Sequence, residues 1–425
     1  MQKILHSLKP LAWLVLLNVL GMLLIMNSSL DNTKDMAVLC GIMCLINIVV
    51  YVVITLCKLG DTYLFIIISM LSSVGIIMQA RINPDSGIRQ MVLYLIGVAF
   101  FFVTVLVYRI FHRKFNRFTL VYYGISILLF IFTWVFGSVR NGSKNWIVLG
   151  GVSIQPSEII RILFVLSLAA IFTNARKAAK SKNDELARKE QIKMRNMRLS
   201  IAAVIAFSNA MCLFLQREWG IALLFFAIYL SYLYIYGESK LFFSANILGV
   251  LAAAFVGIRY MSHIQVRVAA WLNPFADIAG KGYQIAQSLF AIGAGGFSGT
   301  GIGNGSPYLI PVVSSDFIFS AICEEMGVLG GVGVLMLYFL LVYRGFKIAL
   351  SSTNEFNKAT SVGLSVMLGI QTFIIVGGVT KLIPLTGITL PFISYGGSSM
   401  ITTFVALGIL QAISGIKGEV TDEIE

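Results

Sequence analysis

The chain has 425 residues, of which 58% are hydrophobic and only 12% are charged, and its mean hydropathy is +0.87. Soluble domains have roughly 45–50% apolar and about 25% charged residues, so this composition excludes a soluble globular enzyme, a disordered chain and a secreted disulfide scaffold. The formal net charge is +13, from 32 Lys and Arg against 19 Asp and Glu. In a membrane protein such an excess is typical of basic cytoplasmic loops rather than of nucleic-acid binding.

Long apolar runs predict an all-α polytopic membrane protein, because a spanning helix needs about 20 mostly apolar residues. We predict about twelve spans, at 11–27, 36–57, 62–80, 90–111, 118–137, 157–174, 199–216, 219–236, 241–260, 315–343, 359–382 and 391–413. The five cysteines lie in these apolar runs without CxxC spacing. They are therefore interpreted as small core residues, not as a disulfide or metal framework.

The distribution of Lys and Arg predicts that both termini are cytoplasmic. With the N-terminus inside, most of the 32 basic residues fall in inner segments, as the positive-inside rule requires. The segment 175–198 is predicted to be a basic, solvated cytoplasmic loop, with contact to anionic lipid as the alternative. Residues 416–425 are predicted to be a cytoplasmic tail.

Two outer segments are longer than simple turns. The first, 137–156, contains Arg140, Lys144 and Trp146, and the second, 261–315, is Gly-rich at 293–305. A long outer loop among short ones favours either a ligand site, where glycine lets the backbone approach closely, or a mobile loop.

Ionisable groups in or beside spans are costly, so they indicate function or pairing. Glu158 and Arg161 are three residues apart at a helix start, where they either form a buried ion pair or line a substrate cavity. Asp316 precedes an apolar helix, which suits an N-cap, a catalytic acid or both. Glu324 follows Asp316 by eight residues, which is about 12 Å along a helix axis. Glu324 and Glu325 are therefore predicted to lie deeper in the membrane than Asp316.

The paired Glu324 and Glu325 need a cation, and the candidates are Arg161, Arg217 and Lys381. The segment LPFISYGGSSM (390–400) contains Ser394 and Ser398, and its small residues favour close helix packing. The three histidines have no metal-ligand spacing, and no Walker A motif or nucleotide fingerprint is present.

Three strings together carry a family resemblance: NWIVLGGVSIQPSEIIRI (145–162), GYQIAQSLFAIGAGGFSGTGIGNG (282–305) followed by DFIFSAICEEMG (316–327), and IPLTGITLPFISYGGSS (383–399). They resemble the SEDS family, the FtsW/RodA/SpoVE proteins of bacterial cell-wall synthesis. The likeness covers about residues 137–415, in order and with similar spacing.

This resemblance implies an inverting glycosyltransferase that polymerises lipid II into β-1,4-linked glycan strands at the outer face of the bacterial cytoplasmic membrane. It implies a class B penicillin-binding protein and other divisome or elongasome proteins as partners. The essential acid of the family matches Asp316. Mg²⁺ or Mn²⁺ is a plausible cofactor, although the sequence shows no dedicated metal cage.

The resemblance and the charge pattern together give a set of candidate substrate-binding residues. Arg140, Lys144, Arg217 and Lys281 are the candidates for neutralising the departing undecaprenyl pyrophosphate. The other candidates are Trp146, Gln155, Glu158, Arg161, Glu218, Gln284, Gln287, Glu324, Glu325, Lys381, Ser394 and Ser398.

The sequence departs from the family pattern in four places. About ten spans are usual, so residues 1–85 are predicted to carry two extra N-terminal helices before a SEDS-like core at 86–415. Arg161 stands where a Lys is usual. The common Q-P-D-L-G motif reads QREWG, with Glu218 as its acid. Val376 replaces a frequent Asn, with Lys381 nearby.

Two other functions remain open at the level of sequence. A lipid II flippase or transporter would use the buried charges Glu158, Arg161, Glu324, Glu325 and Lys381 as a polar path. A non-catalytic scaffold of the cell-wall machinery is the third class. The sequence does not separate division, elongation and sporulation roles.

Overall fold

A computed structural model describes residues 11–21, 23, 33–140, 143–150, 152–174, 185–237 and 239–416. Within these residues, eleven helices are long and apolar enough to cross a membrane, so the predicted all-α polytopic fold is confirmed. The first predicted span corresponds to a shorter apolar helix, Leu11–Gly21, and the rest of that span lies largely outside the described residues.

The helices are α1 (Leu11–Gly21), α2 (Thr33–Leu56), α3 (Thr62–Ile82), α4 (Pro84–Phe111), α5 (Thr119–Phe136), α6 (Pro156–Asn174), α7 (Glu185–Leu215), α8 (Trp219–Tyr236), α9 (Lys240–Tyr260), α10 (Ser262–Leu272), α11 (Tyr283–Gly295), α12 (Ile318–Ser351), α13 (Glu355–Val379) and α14 (Gly397–Gly415). Between α5 and α6 lie three short strands, β1 (Ser138–Arg140), β2 (Ser143–Leu149) and β3 (Val152–Ile154). They form an antiparallel sheet in the order β1-β2-β3.

The core lies around α3, α6, α13 and α14, whose side chains are mostly buried, whereas α9 is mostly exposed. Asn47 of α2 and Tyr94 of α4 are both fully buried and hydrogen-bonded to each other. Because successive spans alternate in direction, the links α5–α6, α7–α8, α9–α12 and α13–α14 lie at one end of the bundle, here called the site end.

Two predicted boundaries are wrong. The loop predicted at 175–198 is helical from Glu185, where α7 begins, because its mixed charges form good helix turns outside the apolar zone; residues 175–184 lie outside the described part. The segment 261–315, predicted as a long loop, lies between α9 and α12 and contains the short helices α10 and α11. The last span begins at Gly397, because Pro391 and Phe392, which has φ 67°, lie in a turn before it.

Helix α12 is broken at Gly327, which has φ 69° and ψ −176°. The Gly-rich loop, residues 296–305, packs into this break. Thr300 N donates to Glu324 O and Gly301 N to Glu325 O, each at 3.0 Å. A Cβ at Gly327 would lie 2.4 Å from backbone atoms of this loop, so only glycine allows the approach. The glycines thus let the loop pack against the break in α12.

Candidate functional site

A cavity of about 240 Å³ lies at the site end of the bundle, and four chain segments line it. The first runs from strand β2 to the start of α6, the second is the α7–α8 link, the third precedes α12, and the fourth runs from the α13–α14 link into α14. Arg267 of α10 also lines the cavity. Of the predicted site residues, the cavity brings together Trp146, Gln155, Glu158, Arg217, Glu218, Asp316 and Ser398.

Asp316 lies on the short segment that precedes α12. It was considered as an N-cap, but α12 begins at Ile318 after Phe317 and has no side-chain cap. The Asp316 carboxylate lines the cavity instead, and Ser315 Oγ donates to its Oδ1 at 2.9 Å. Burial raises the pKa of Asp316, although the Ser315 hydrogen bond and the nearby Arg267 act in the opposite direction.

Gly387 keeps space open beside this carboxylate. A Cβ at that position would lie 3.4 Å from Asp316 Oδ2, and its φ of 72° disfavours any L side chain. The absence of a side chain at Gly387 therefore leaves space beside Oδ2.

Arg267 was not predicted as a site residue. It lies on α10, and its Nη1 donates to the carbonyls of Leu385 and Thr386, each at 3.0 Å. It therefore ties α10 to the α13–α14 link and places a cation in the cavity with Asp316. No sequence motif distinguishes Arg267 from other basic residues of the outer segments.

Glu218 lies in the turn before α8, and its side chain is buried in the cavity wall. Its Oε1 accepts hydrogen bonds from Gln155 Nε2 at 2.6 Å and from Asn145 Nδ2. Burial raises the pKa of Glu218 to about 7, even though these amides lower it. Asn145 could not be predicted from the sequence, because its hydrogen bond to Glu218 forms only where strand β2 contacts the α7–α8 link.

The E218Q variant should be more resistant to heat than the wild type, by an amount that depends on pH. A carboxyl with a raised pKa contributes most to stability when protonated, and that contribution is lost as the pH rises from the ordinary value of 4.5 to about 7. Glutamine mimics the protonated form. We therefore expect the Tm of E218Q to exceed that of the wild type above pH 7, in thermal unfolding in detergent. Equal Tm values for E218Q and the wild type at every pH would contradict a raised pKa of Glu218.

Glu158 and Arg161 form the predicted ion pair, with Arg161 Nη2 2.7 Å from Glu158 Oε2. Glu158 lines the cavity, whereas Arg161 lies behind it and is 1% exposed. Arg161 also donates to Gln371 Oε1, Thr402 Oγ1 and Thr403 Oγ1. The guanidinium thus joins α6, α13 and α14 behind the cavity wall.

The predicted partners of the paired Glu residues are wrong. Arg81 of α3, not Arg161, Arg217 or Lys381, pairs with Glu325, with Nε 3.0 Å from Oε1. Glu324 Oε1 accepts from Ser306 N at 2.7 Å. Both carboxylates therefore hold the Gly-rich loop and do not line the cavity. Arg81 was overlooked because it belongs to a span far from these residues in sequence.

The remaining candidates divide into supports and outlying residues. Ser398 Oγ accepts from Gln155 N at 3.0 Å, and Ser394 Oγ donates to Ser315 O, so both fix segments of the cavity. The cavity lining does not include Lys144, Arg161, Lys281, Gln284, Gln287, Glu324, Glu325, Lys381 or Ser394. The side chain of Arg140 lies outside the described part.

Comparisons with known proteins identify the family of this chain. A family model for FtsW, RodA and SpoVE, described as "Cell cycle protein", matches residues 51–418. The peptidoglycan glycosyltransferase RodA of Mycobacterium tuberculosis is 36% identical over 371 residues, which cover 83% of this chain and 78% of RodA. The stage V sporulation protein E of Bacillus subtilis is 33% identical over 370 residues, which cover 83% of this chain and 96% of that protein.

Two solved structures share the fold. A chain described under "Structural coordination of polymerization and crosslinking by a peptidoglycan synthase complex" has a TM-score of 0.66 and 26% identity, with 84% of this chain and 97% of that chain covered. The RodA crystal structure from Thermus thermophilus has a TM-score of 0.60 and 25% identity, with 84% and 96% covered. This multi-pass bacterial membrane protein belongs to the FtsW/RodA/SpoVE family.

Proposed function

We propose that this peptidoglycan glycosyltransferase polymerises lipid II, with Asp316 as its general base. The observation that carries the proposal is the position of Asp316, a half-buried carboxylate beside open space in a cavity that also contains Arg217 and Arg267. Glycosyl transfer from a pyrophosphate-linked donor needs a base for the acceptor and positive charge for the leaving group. The cavity supplies both.

In the proposed reaction, the 4-hydroxyl oxygen of one lipid II sugar attacks the anomeric carbon of a second lipid-linked glycan. Asp316 Oδ2 accepts the hydroxyl proton as the new C–O bond forms. The bond from the anomeric carbon to undecaprenyl pyrophosphate breaks, and the electron pair leaves with the pyrophosphate. One displacement inverts the α-linked donor to a β-1,4 linkage. The raised pKa of Asp316 suits a base, because a stronger base takes the proton more readily.

Positive charge for the leaving pyrophosphate would come from Arg217 and Arg267. Arg217 is exposed at the cavity mouth, in the left-handed conformation with φ 61°. Among the described residues, no group of three His, Cys, Asp or Glu side chains could hold a metal. We therefore propose that Mg²⁺ or Mn²⁺, if used, is held mainly by the substrate phosphates and water, as Mg²⁺ commonly is. Such a cation would neutralise pyrophosphate charge.

The lipid II flippase remains the alternative function, and the position of the cavity argues against it. The residues that line the cavity lie at the site end of the bundle, at or within about one turn of the helix starts there. A transport path would need polar groups through the whole bundle. A non-catalytic scaffold would not need a half-buried acid facing an open cavity.

We further propose that the cavity opens at the outer membrane face and that both termini are cytoplasmic, from the Lys and Arg distribution. A class B penicillin-binding protein is the proposed partner. The partner's domain outside the membrane would then crosslink strands as they leave the site end.

Sealed vesicles containing the protein, its class B partner and lipid II distinguish polymerase from flippase. We expect glycan chains that a muramidase cleaves, formed without transfer of lipid II between leaflets. Leaflet transfer without glycan chains would contradict the polymerase and favour the flippase.

A further inference from the structure

The outer end of α3 is bonded to the segment that carries Asp316. Gln79 of α3 is fully buried, and its Nε2 donates to Ser314 O at 2.6 Å and to Ile393 O at 3.4 Å. Ser314 lies two residues before Asp316. The same Ser314 carbonyl accepts from Tyr395 N at 2.8 Å. One amide of α3 thus joins the Asp316 segment to the turn before α14.

The helix backbone packs closely enough to make this contact rigid. A Cβ at Gly75, one turn before Gln79, would lie 2.7 Å from Ile393 Cα and from Phe392 O. Phe392 has φ 67°, a conformation that neighbouring contacts must hold in place. The turn before α14, which contains Phe392 and Ile393, is therefore in direct contact with α3.

Arg81 provides a second bond from the same helix end. Its Nη2 donates to the carbonyls of Gly303 and Gly305 at 2.9 and 3.1 Å, and it pairs with Glu325. Gly303 and Gly305 lie at the start of the stretch that leads to Asp316. Helix α3 therefore holds both ends of residues 303–314, one through Arg81 and the other through Gln79.

We propose that Gln79 is a positioning residue that sets the place of the Asp316 carboxylate through the Ser314 carbonyl, with Arg81 fixing the start of the same stretch. The proposal rests on the proposed base role of Asp316. Gln79 itself does not line the cavity. Without the Gln79 amide, the Ser314 carbonyl keeps only the Tyr395 N–H as a donor and is no longer held to α3. A base displaced by about 1 Å can lose about 100-fold in rate.

The test compares Q79M with Q411M in the full chain with its class B partner and lipid II. Gln411 is also fully buried and donates to a backbone carbonyl, Leu59 O at 3.3 Å, but at the opposite end of the bundle. We expect Q79M to lower kcat by about 10- to 100-fold with little change in KM. Q411M should leave kcat near that of the wild type. Equal kcat values for the two variants would overturn the proposal, whereas inactivity of the wild type would count against the proposed function instead.

A second variant covers the case in which Q79M does not fold. In Q79E, the protonated acid can still donate to Ser314 O, whereas the ionised form cannot. The charged neighbours Arg81, Glu325 and Asp316 are present in both proteins, so the ratio of Q79E to wild-type kcat removes the pH dependence that the two proteins share. We expect this ratio to fall as the pH is raised. A ratio that stays constant with pH would overturn the positioning role.

Discussion

The D316N variant should lose polymerisation of lipid II while keeping its fold. Asparagine preserves the size of the side chain and can still accept the hydrogen bond from Ser315 Oγ to Oδ1. It cannot accept a proton from the attacking hydroxyl. Removal of a general base typically costs about 10²–10⁴-fold in rate, so we expect kcat in the glycan assay to fall by at least about 100-fold.

The matched control is D277N. Asp277 is exposed in the stretch between α9 and α12 that also carries Asp316, and its carboxylate accepts from Lys281 N outside the cavity. This variant should polymerise at nearly the wild-type rate. Because burial of the Asp316 charge is unfavourable, D316N should also unfold at a Tm no lower than the wild type. An active D316N would show that another group takes the proton.

The R161M variant should be strongly destabilised. It removes the partner of Glu158 and the donor for Gln371, Thr402 and Thr403. Removing one member of a buried ion pair leaves an uncompensated charge, which typically costs about 3–5 kcal/mol. We expect a large fall in the Tm of the purified protein in detergent, together with low recovery from the membrane.

Two further variants separate charge from geometry at this position. The E158Q/R161M pair removes both charges and should recover much of the lost Tm, because no unpaired ion remains. R161K keeps the charge but cannot reproduce the guanidinium fork, so its Tm should lie between the wild type and R161M. A Tm of R161M equal to that of the wild type would show that Arg161 does not stabilise the packing of α6, α13 and α14.

Much of the site could be predicted because its residues lie in local motifs. Glu158 and Arg161 are one helix turn apart, so their pairing follows from helix geometry, and the structure confirms it. Asp316 was singled out as a rare acid beside a span and by its family context. Its place in the cavity agrees with that choice, whereas its role as the base is a proposal.

Contacts between distant segments could not be predicted in this way. Arg81 meets Glu325, and Arg267 reaches Leu385 and Thr386, only after separate helices assemble. Hydropathy identified the spans but could not detect the break at Gly327, because a glycine within an apolar run gives the same signal in a straight helix. The two extra N-terminal helices within 1–85 stay a prediction.

The most direct test is a side-by-side glycan gel. Wild type, D316N and D277N, each purified with the class B partner, would receive lipid II and Mn²⁺ or Mg²⁺. The proposed mechanism predicts ladders of glycan chains from the wild type and D277N and none from D316N. Ladders from D316N equal to those of the wild type would contradict the assignment of Asp316 as the base.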